Sequence, residues 1–450
     1  MTGAASSRLA VIGGGLAGIT AALRCADAGA AVTLYEARPR LGGLTCSFRR
    51  GELWVDNGQH VFLRCCTAYR SLVQRLGAEH MTTLQPRLDI AVRSPSRAAR
   101  LRRTGWPAPL HLAGSLARYP WLDLGDRLRF ARAALALRAV DAADPATDQR
   151  AFGDWLREHG QSASAVHNLW ELVGIATLNA RADDASLSLA ATVFQIGMLR
   201  DNCSGDIGWS AVPLQRLHGD TAADALAKTG ATVQLRTVVR SLCRDNDGWN
   251  VETDTGSARF DAVILAVPPT AAEDVLPDGA VDLAPGWSRR LGSSPIINLH
   301  LILDRTVLRE PFVAAVDSEV QWVFDRTQQS GLTSGQYLAV SLSAADELID
   351  VPTATLRGRF LPALKSILPG LESAELRDFF VTREREATFR PSPGTARLRP
   401  PARTAMSGVY LAGAWTATEW PATMEGAVRS GDAAAAALLA DARSLSTEAV

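Results

Sequence analysis

One stretch near the N-terminus constrains this chain more than any other. Leu9-Ala-Val-Ile12 is a short apolar run, as in a buried parallel strand. Gly13-Gly-Gly-Leu-Ala-Gly18 follows, then helical apolar spacing from Ile19 to Asp27. Val32-Thr-Leu-Tyr35 reads as a second strand, and it ends at Glu36. Gly13 permits a tight turn, Gly15 lets a pyrophosphate approach the backbone, and Gly18 lets the helix lie close on the strand. Leu16 and Ala17 open the helix, whose free N–H groups and positive dipole end favour phosphate. Glu36, with Ala37 and Arg38 after it, stands where an acid accepts hydrogen bonds from an adenosine ribose. The order of strand, glycine turn, helix, strand and acid predicts a dinucleotide-binding α/β unit.

A second glycine pair, Gly42-Gly43, comes just beyond that acid, in Arg38-Pro-Arg-Leu-Gly-Gly-Leu-Thr-Cys-Ser47. This extension resembles that of the glutathione-reductase-type flavoproteins, in the branch that holds amine oxidases and phytoene desaturases. The resemblance implies FAD as cofactor. It implies an α/β fold: a glutathione-reductase-type FAD-binding Rossmann domain with an inserted α+β substrate domain. In that branch an Arg usually follows the glycine pair, whereas here Leu44 does, so one phosphate or flavin contact is missing, for which Arg38 or Arg40 is the candidate replacement. Asp56-Asn-Gly58-Gln59-His60 follows a short strand, and in the same branch this segment lies near the flavin ring. Read as residues alone, Asp56 and Asn57 before glycine fit a plain turn equally well.

The flavin domains of such proteins are discontinuous. Thr232–Leu242, a small meander to Phe260 and the apolar strand Asp261–Pro269 resemble the second piece, with the backbone around Val238 implied to meet the adenine. As a residue, Val238 is also an ordinary strand position. Gly408-Val-Tyr-Leu-Ala-Gly413-Ala414-Trp415 and a helix starting near Met424, after Thr423, resemble the third piece. Its helix N-terminus is implied to stabilise negative charge on the reduced ring. Relatives carry Asp where this chain has Ala414, a second departure. The expected boundaries are 1–90, 205–275 and 380–445 for the flavin domain, and 91–204 and 276–379 for the substrate domain.

The likeness extends through Leu169–Asn179, Gly208–Leu214, Ser294–His300, Gln321–Arg326 and Arg385–Pro391. These segments resemble the squalene-associated FAD-dependent desaturases, the hydroxysqualene dehydroxylases of bacteria. The resemblance implies reduction of hydroxysqualene to squalene, on the way to hopanoids, with a long-chain isoprenoid lipid as substrate and an external electron donor for FAD. Many amine oxidases place a Lys beside the flavin. Here the only lysines are Lys228 and Lys365, at positions that do not match that role.

Removing a hydroxyl calls for a proton donor near the leaving oxygen, and a carbon with cationic character is steadied by aromatic faces or carboxylates. The candidates are His60 first, then Asp56 and Glu171, with Trp170 and Trp415 as aromatic faces; a core role for Trp170 is the plainer reading. Two other readings stay open. One is a carotenoid or phytoene desaturase-like oxidase. The other is a non-catalytic prenyl-lipid carrier of the Rab GDP-dissociation-inhibitor kind.

Composition limits the partners. Lys and Arg number 47, as do Asp and Glu, so no basic excess points to nucleic acid. Hydrophobic residues make up 47%, yet no uninterrupted run of about 18 apolar residues predicts a spanning helix. No leader-like apolar stretch opens the chain, the six cysteines read as reduced, mostly buried thiols, and no zinc-type spacing suggests a metal. The expected location is cytoplasmic, peripheral on the inner face of the cell membrane. The anchor expected from composition is Arg93, Arg97, Arg100, Arg102 and Arg103 beside Trp106, Leu116 and Tyr119–Leu122. The stretch 123–140 is expected to form an amphipathic helix, with Leu124, Leu128, Ala131 and Leu135 on one stripe, that helps cover a substrate tunnel.

Overall fold

The apolar run at Leu9–Ile12 becomes part of the central strand of a five-stranded parallel sheet. A computed structural model of the chain describes residues 7–246 and 248–448, the last four of these as helix backbone. The stretch read as lacking a leader begins in residues 1–6, outside the described residues. The sheet order is Thr232–Leu235, Ala31–Glu36, Arg8–Ile12, Ala262–Leu265 and Val409–Leu411. All four pairings are parallel. Strands from three distant parts of the sequence thus meet side by side. The N-terminal helix Leu16–Asp27 packs against the C-terminal helix Met424–Glu448. Their approach is close: a Cβ on Gly431 would stand 2.3 Å from the Ala17 carbonyl oxygen. An antiparallel meander, Val239–Asp245, Gly248–Thr253 and Gly256–Phe260, flanks the sheet.

The second half is a seven-stranded mixed sheet. Its order is Leu376–Phe389, Ser293–Leu303, Gln336–Leu342, Trp322–Asp325, Phe312–Ala315, Asp89–Arg93 and Ala98–Arg102. The long strand Ser293–Leu303 alternates as a two-sided strand must. Ile297, Leu299, Leu301 and Leu303 share a core with Leu356, Phe360 and Leu364 of the helix Thr353–Ile367. Asn298 and His300 take the other face, toward the flavin-type half. The chain therefore folds as an α/β FAD-binding Rossmann domain of the glutathione-reductase type with a second α+β unit inserted. The positions 90/91 and 379/380 each fall inside a strand of the seven-stranded sheet.

The helix Leu124–Leu137 forms where expected, with the Asp123 carboxylate accepting from the Asp126 N–H at 2.7 Å. Its buried residues, however, are Asp126, Ala133, Ala134 and Leu137, while Leu124, Leu128 and Leu135 are exposed. The small alanines pack inward, and the leucine stripe faces out. The arginine run is not a free cationic patch either. Arg93 pairs with Glu310, Arg100 and Arg102 with Asp89, and Arg103 with Asp206. The hairpin register sets Asp89 opposite Arg102, which brings the acid into the basic run. Of the cysteines, Cys25 and Cys46 are buried and Cys243 is exposed; none of the six forms a disulfide. No helix of the described residues is long and apolar enough to cross a membrane.

Candidate functional site

The glycine turn forms a cradle. Gly13 has φ +107°, a conformation that strains any side chain, and a Cβ on it would stand 2.3 Å from the Ala266 carbonyl oxygen. A Cβ on Gly18 would meet the Gly13 carbonyl oxygen at 1.9 Å. Gly15 is different. The one atom near its missing Cβ is Gly43 Cα at 3.8 Å, and that direction is otherwise open. Gly15 precedes the helix, and no side chain caps the N–H groups of Leu16, Ala17 and Gly18. Uncapped N–H groups beside a space kept clear by glycine fit a pyrophosphate. Glu36 is buried and closes the turn, its Oε2 accepting from the Gly14 N–H and its Oε1 from the Arg38 N–H, each at 2.7 Å. Gly42 and Gly43 also adopt positive φ, and a Cβ on Gly43 would press on Gly15 Cα at 2.9 Å. The two glycine turns lie back to back.

The departures have visible consequences. Leu44 is exposed and offers no charge beside the glycine pair. Arg40 is the better-placed replacement: one guanidinium nitrogen reaches Cys46 Sγ at 3.2 Å, and its buried Nε has no partner. Arg38 and Ala37 are exposed at the end of the strand. At Val238, where an adenine contact of the backbone is implied, the N–H donates to the exposed Asp254 carboxylate at 3.1 Å. Gly413 has φ +143°, and its N–H donates to Ser430 Oγ at 2.8 Å.

The loop after Gly413 is held by a residue the sequence reading missed. Arg399 is buried and donates to the carbonyls of Ala414, Trp415, Thr416 and Trp420. Burial pulls its pKa down to about 10. Thr423 caps the last helix by accepting from the Gly426 N–H, and Met424 opens that helix. Glu425, also missed, accepts from the Ala68 and Tyr69 N–H groups and pairs with Arg429. It ties the N-termini of two helices together.

The Asp56–His60 segment lies against the seven-stranded sheet. Asp56 is not a free acid. It is buried, ion-paired with Arg326 at 2.5 Å, and accepts from Ser47 Oγ at 2.6 Å and the Leu214 N–H at 3.1 Å. Gln59 borders the same ion pair, with Trp54 and Tyr337. Glu171 is engaged as well: its carboxylate accepts from the Ala182 N–H and faces His167. Trp170 packs among Phe130, Phe152 and Phe194, and Trp415 packs at a tilt against Trp287. Both are core residues.

His60 keeps a possible role, with altered chemistry. Burial drives its pKa down to about 4, against the pull of Asp56, so the imidazole is neutral near pH 7. As a residue His60 is half-buried. A Cβ on Gly58 would stand 3.2 Å from His60 Nε2 and 3.9 Å from Asn298 Nδ2. A side chain at Gly58 would therefore crowd the imidazole, and glycine lets His60 and Asn298 both lie close to this backbone. Asn298 is fully buried, donates weakly to the Asn57 carbonyl at 3.4 Å, and leaves its Oδ1 without a partner. Thr382 lies opposite Asn298, and alternation puts Glu384 on that same face. Burial raises the pKa of the Glu384 carboxyl, against a backbone hydrogen bond at Glu386 and the charge of Arg38. Asn298 and Glu384 were missed by sequence reasoning. Polar residues on one parity of an apolar strand were the available signal.

The model of the flavin-containing amine oxidoreductase family matches residues 16–439. The hydroxysqualene dehydroxylase of Rhodopseudomonas palustris is 30% identical over 97% of this chain and 100% of its own. That of Sinorhizobium fredii is 29% identical over 94% of this chain and 96% of its own. The zeta-carotene desaturase of Synechocystis is 24% identical over 98% and 99%. Among solved structures, a putrescine oxidase superposes with a TM-score of 0.72 at 21% identity, covering 97% of this chain and 99% of its own. That last likeness concerns the fold.

Proposed function

The chain belongs to the flavin-containing amine oxidoreductase family and is an FAD-dependent oxidoreductase, and on that premise we propose that it reduces hydroxysqualene to squalene. The observation that carries the reading is the end-to-end match to two hydroxysqualene dehydroxylases. The Gly13–Gly18 turn, Glu36, the Gly42–Gly43 pair and the Gly413–Met424 segment are the residues that would hold FAD. FAD held there would, in its reduced form, be the source of hydride for the carbon that loses oxygen. The other needs fall to side chains. The neutral imidazole of His60 can donate to or accept from a substrate hydroxyl, and the Asn298 amide, with its unpaired Oδ1, stands beside it. Glu384, on the strand face of Asn298 and with a carboxyl that burial makes harder to ionise, is the candidate proton source for the departing water. The apolar neighbours Phe380, Ile302 and Val55 keep bulk water from that region.

The two lysines support this reading over amine oxidation. Lys228 ends the helix Thr221–Lys228, and Lys365 pairs with Glu372 on the surface. A desaturase is the second reading, favoured by the carotenoid desaturase match, and it would pass electrons to an acceptor. An external donor for FAD and a peripheral place on the inner face of the cell membrane belong to the first reading. The test is anaerobic incubation of the flavin-loaded enzyme with dithionite and hydroxysqualene. Squalene in the extract supports the reading. Unchanged hydroxysqualene, with desaturation of a carotene precursor in the presence of a quinone, sinks it.

A further inference from the structure

We propose that the outward face of the helix Leu124–Leu137 docks this protein on an anionic lipid bilayer. The choice of a lipid surface rests on the lipid-substrate reading above; the face itself is read from the helix. Leu124 is 70% exposed, Leu128 61% and Leu135 54%. Ala131, also exposed, stands between them. At 3.6 residues per turn these four side chains fall within an arc of roughly 60°, on a ridge about 16 Å long. The opposite side, Ala133, Ala134 and Leu137, is buried in the main core, so the helix is already anchored. A solvated helix turns its polar side outward, and this one does the reverse.

The charges beside the ridge suit an acidic surface. Arg132 and Arg138 are exposed at its edges and carry no ion pair among the described residues. Arg127 flanks the ridge on the side of Arg138, its guanidinium donating to the Tyr119 carbonyl. The helix's one acid, Asp126, is buried and paired with Arg129. Leucines with arginines on both flanks place apolar groups among acyl chains and guanidinium groups at the phosphates. Trp106, 63% exposed, and Leu110, 54% exposed, lie in the segment leading to this helix. Four arginines of the Arg93–Arg103 run are held in ion pairs within the fold, with Glu310, Asp89 and Asp206.

The experiment is cosedimentation of the flavin-loaded chain with sucrose-loaded vesicles. One set is phosphatidylcholine alone and the other holds one quarter phosphatidylglycerol. The wild type should bind the anionic vesicles, and Leu124→Ser/Leu128→Ser/Leu135→Ser should lower the partition by about tenfold or more. Arg132→Glu/Arg138→Glu should remove the preference for phosphatidylglycerol. An unchanged flavin spectrum shows that each variant is folded. Turnover of detergent-dispersed substrate should stay at the wild-type level, which separates failure of docking from failure of the reaction assignment. Vesicle binding undiminished in the leucine variant overturns the proposal, as does a wild type that ignores both vesicle sets. A wild-type dimer that the same substitutions dissociate also overturns it, since a second copy would then cover the ridge.

Discussion

Replacing Arg326 by Met tests whether Asp56 is structural or chemical. The two side chains are 9% and 6% exposed and form an ion pair at 2.5 Å. Arg326→Met leaves a buried carboxylate with two neutral donors, Ser47 Oγ and the Leu214 N–H. Breaking a buried pair from one side costs about 3–5 kcal/mol, and the two remaining donors place this case near 3. That shifts the folding equilibrium by roughly two orders of magnitude. The double change Asp56→Asn/Arg326→Met should recover about 2 kcal/mol, because the amide oxygen keeps both donors and no charge stays unpaired. Urea unfolding followed by tryptophan fluorescence reads the difference as a shift in midpoint at constant slope. Turnover is measured on the same samples. If Asp56→Asn abolishes turnover and leaves the urea midpoint where it was, Asp56 acts on the substrate and this reasoning is refuted.

Other outcomes are equally open to measurement. Glu36→Ala removes the acceptor of both the Gly14 and Arg38 N–H groups, so the purified protein should lose most of its 450-nm flavin absorbance. His218 and His300 are buried neutral, with pKa values of about 3 against an ordinary 6.5. Between those values the unfolded chain binds protons that the folded chain refuses. Stability is therefore complete above pH 6.5 and falls as pH drops toward 3, by about 2 kcal/mol for each group at pH 5. A urea midpoint that stays flat from pH 7 to pH 5 would contradict it. Asn298→Leu should leave stability level or raised, since an unpaired buried acceptor is removed, while turnover of the alcohol drops about tenfold. Glu384→Gln should slow turnover and remove the basic limb of its pH profile, with KM little changed.

The dinucleotide unit could be read from the chain because its physics is local. A turn at Gly13, a clear backbone at Gly15 and an acid at Glu36 need only their own thirty or so residues, and spacing reports them. The distant strands at Ala262–Leu265 and Val409–Leu411 were legible as apolar runs of the right length. The orientation of the Leu124–Leu137 helix was not. Its stripe is amphipathic from either side, and only the packing of Ala133 and Ala134 against the core decides which face meets water. Asp56 and the Arg93–Arg103 run fail for a related reason. Their partners Arg326, Asp206 and Glu310 are far away in sequence, and electrostatics depends on distance in space. Sequence therefore determined the cofactor cradle and the fold class. Tertiary structure decided which carboxylates are already paired, that Asn298 and Glu384 share the strand face turned toward the flavin-type half, and which leucines are left for a partner.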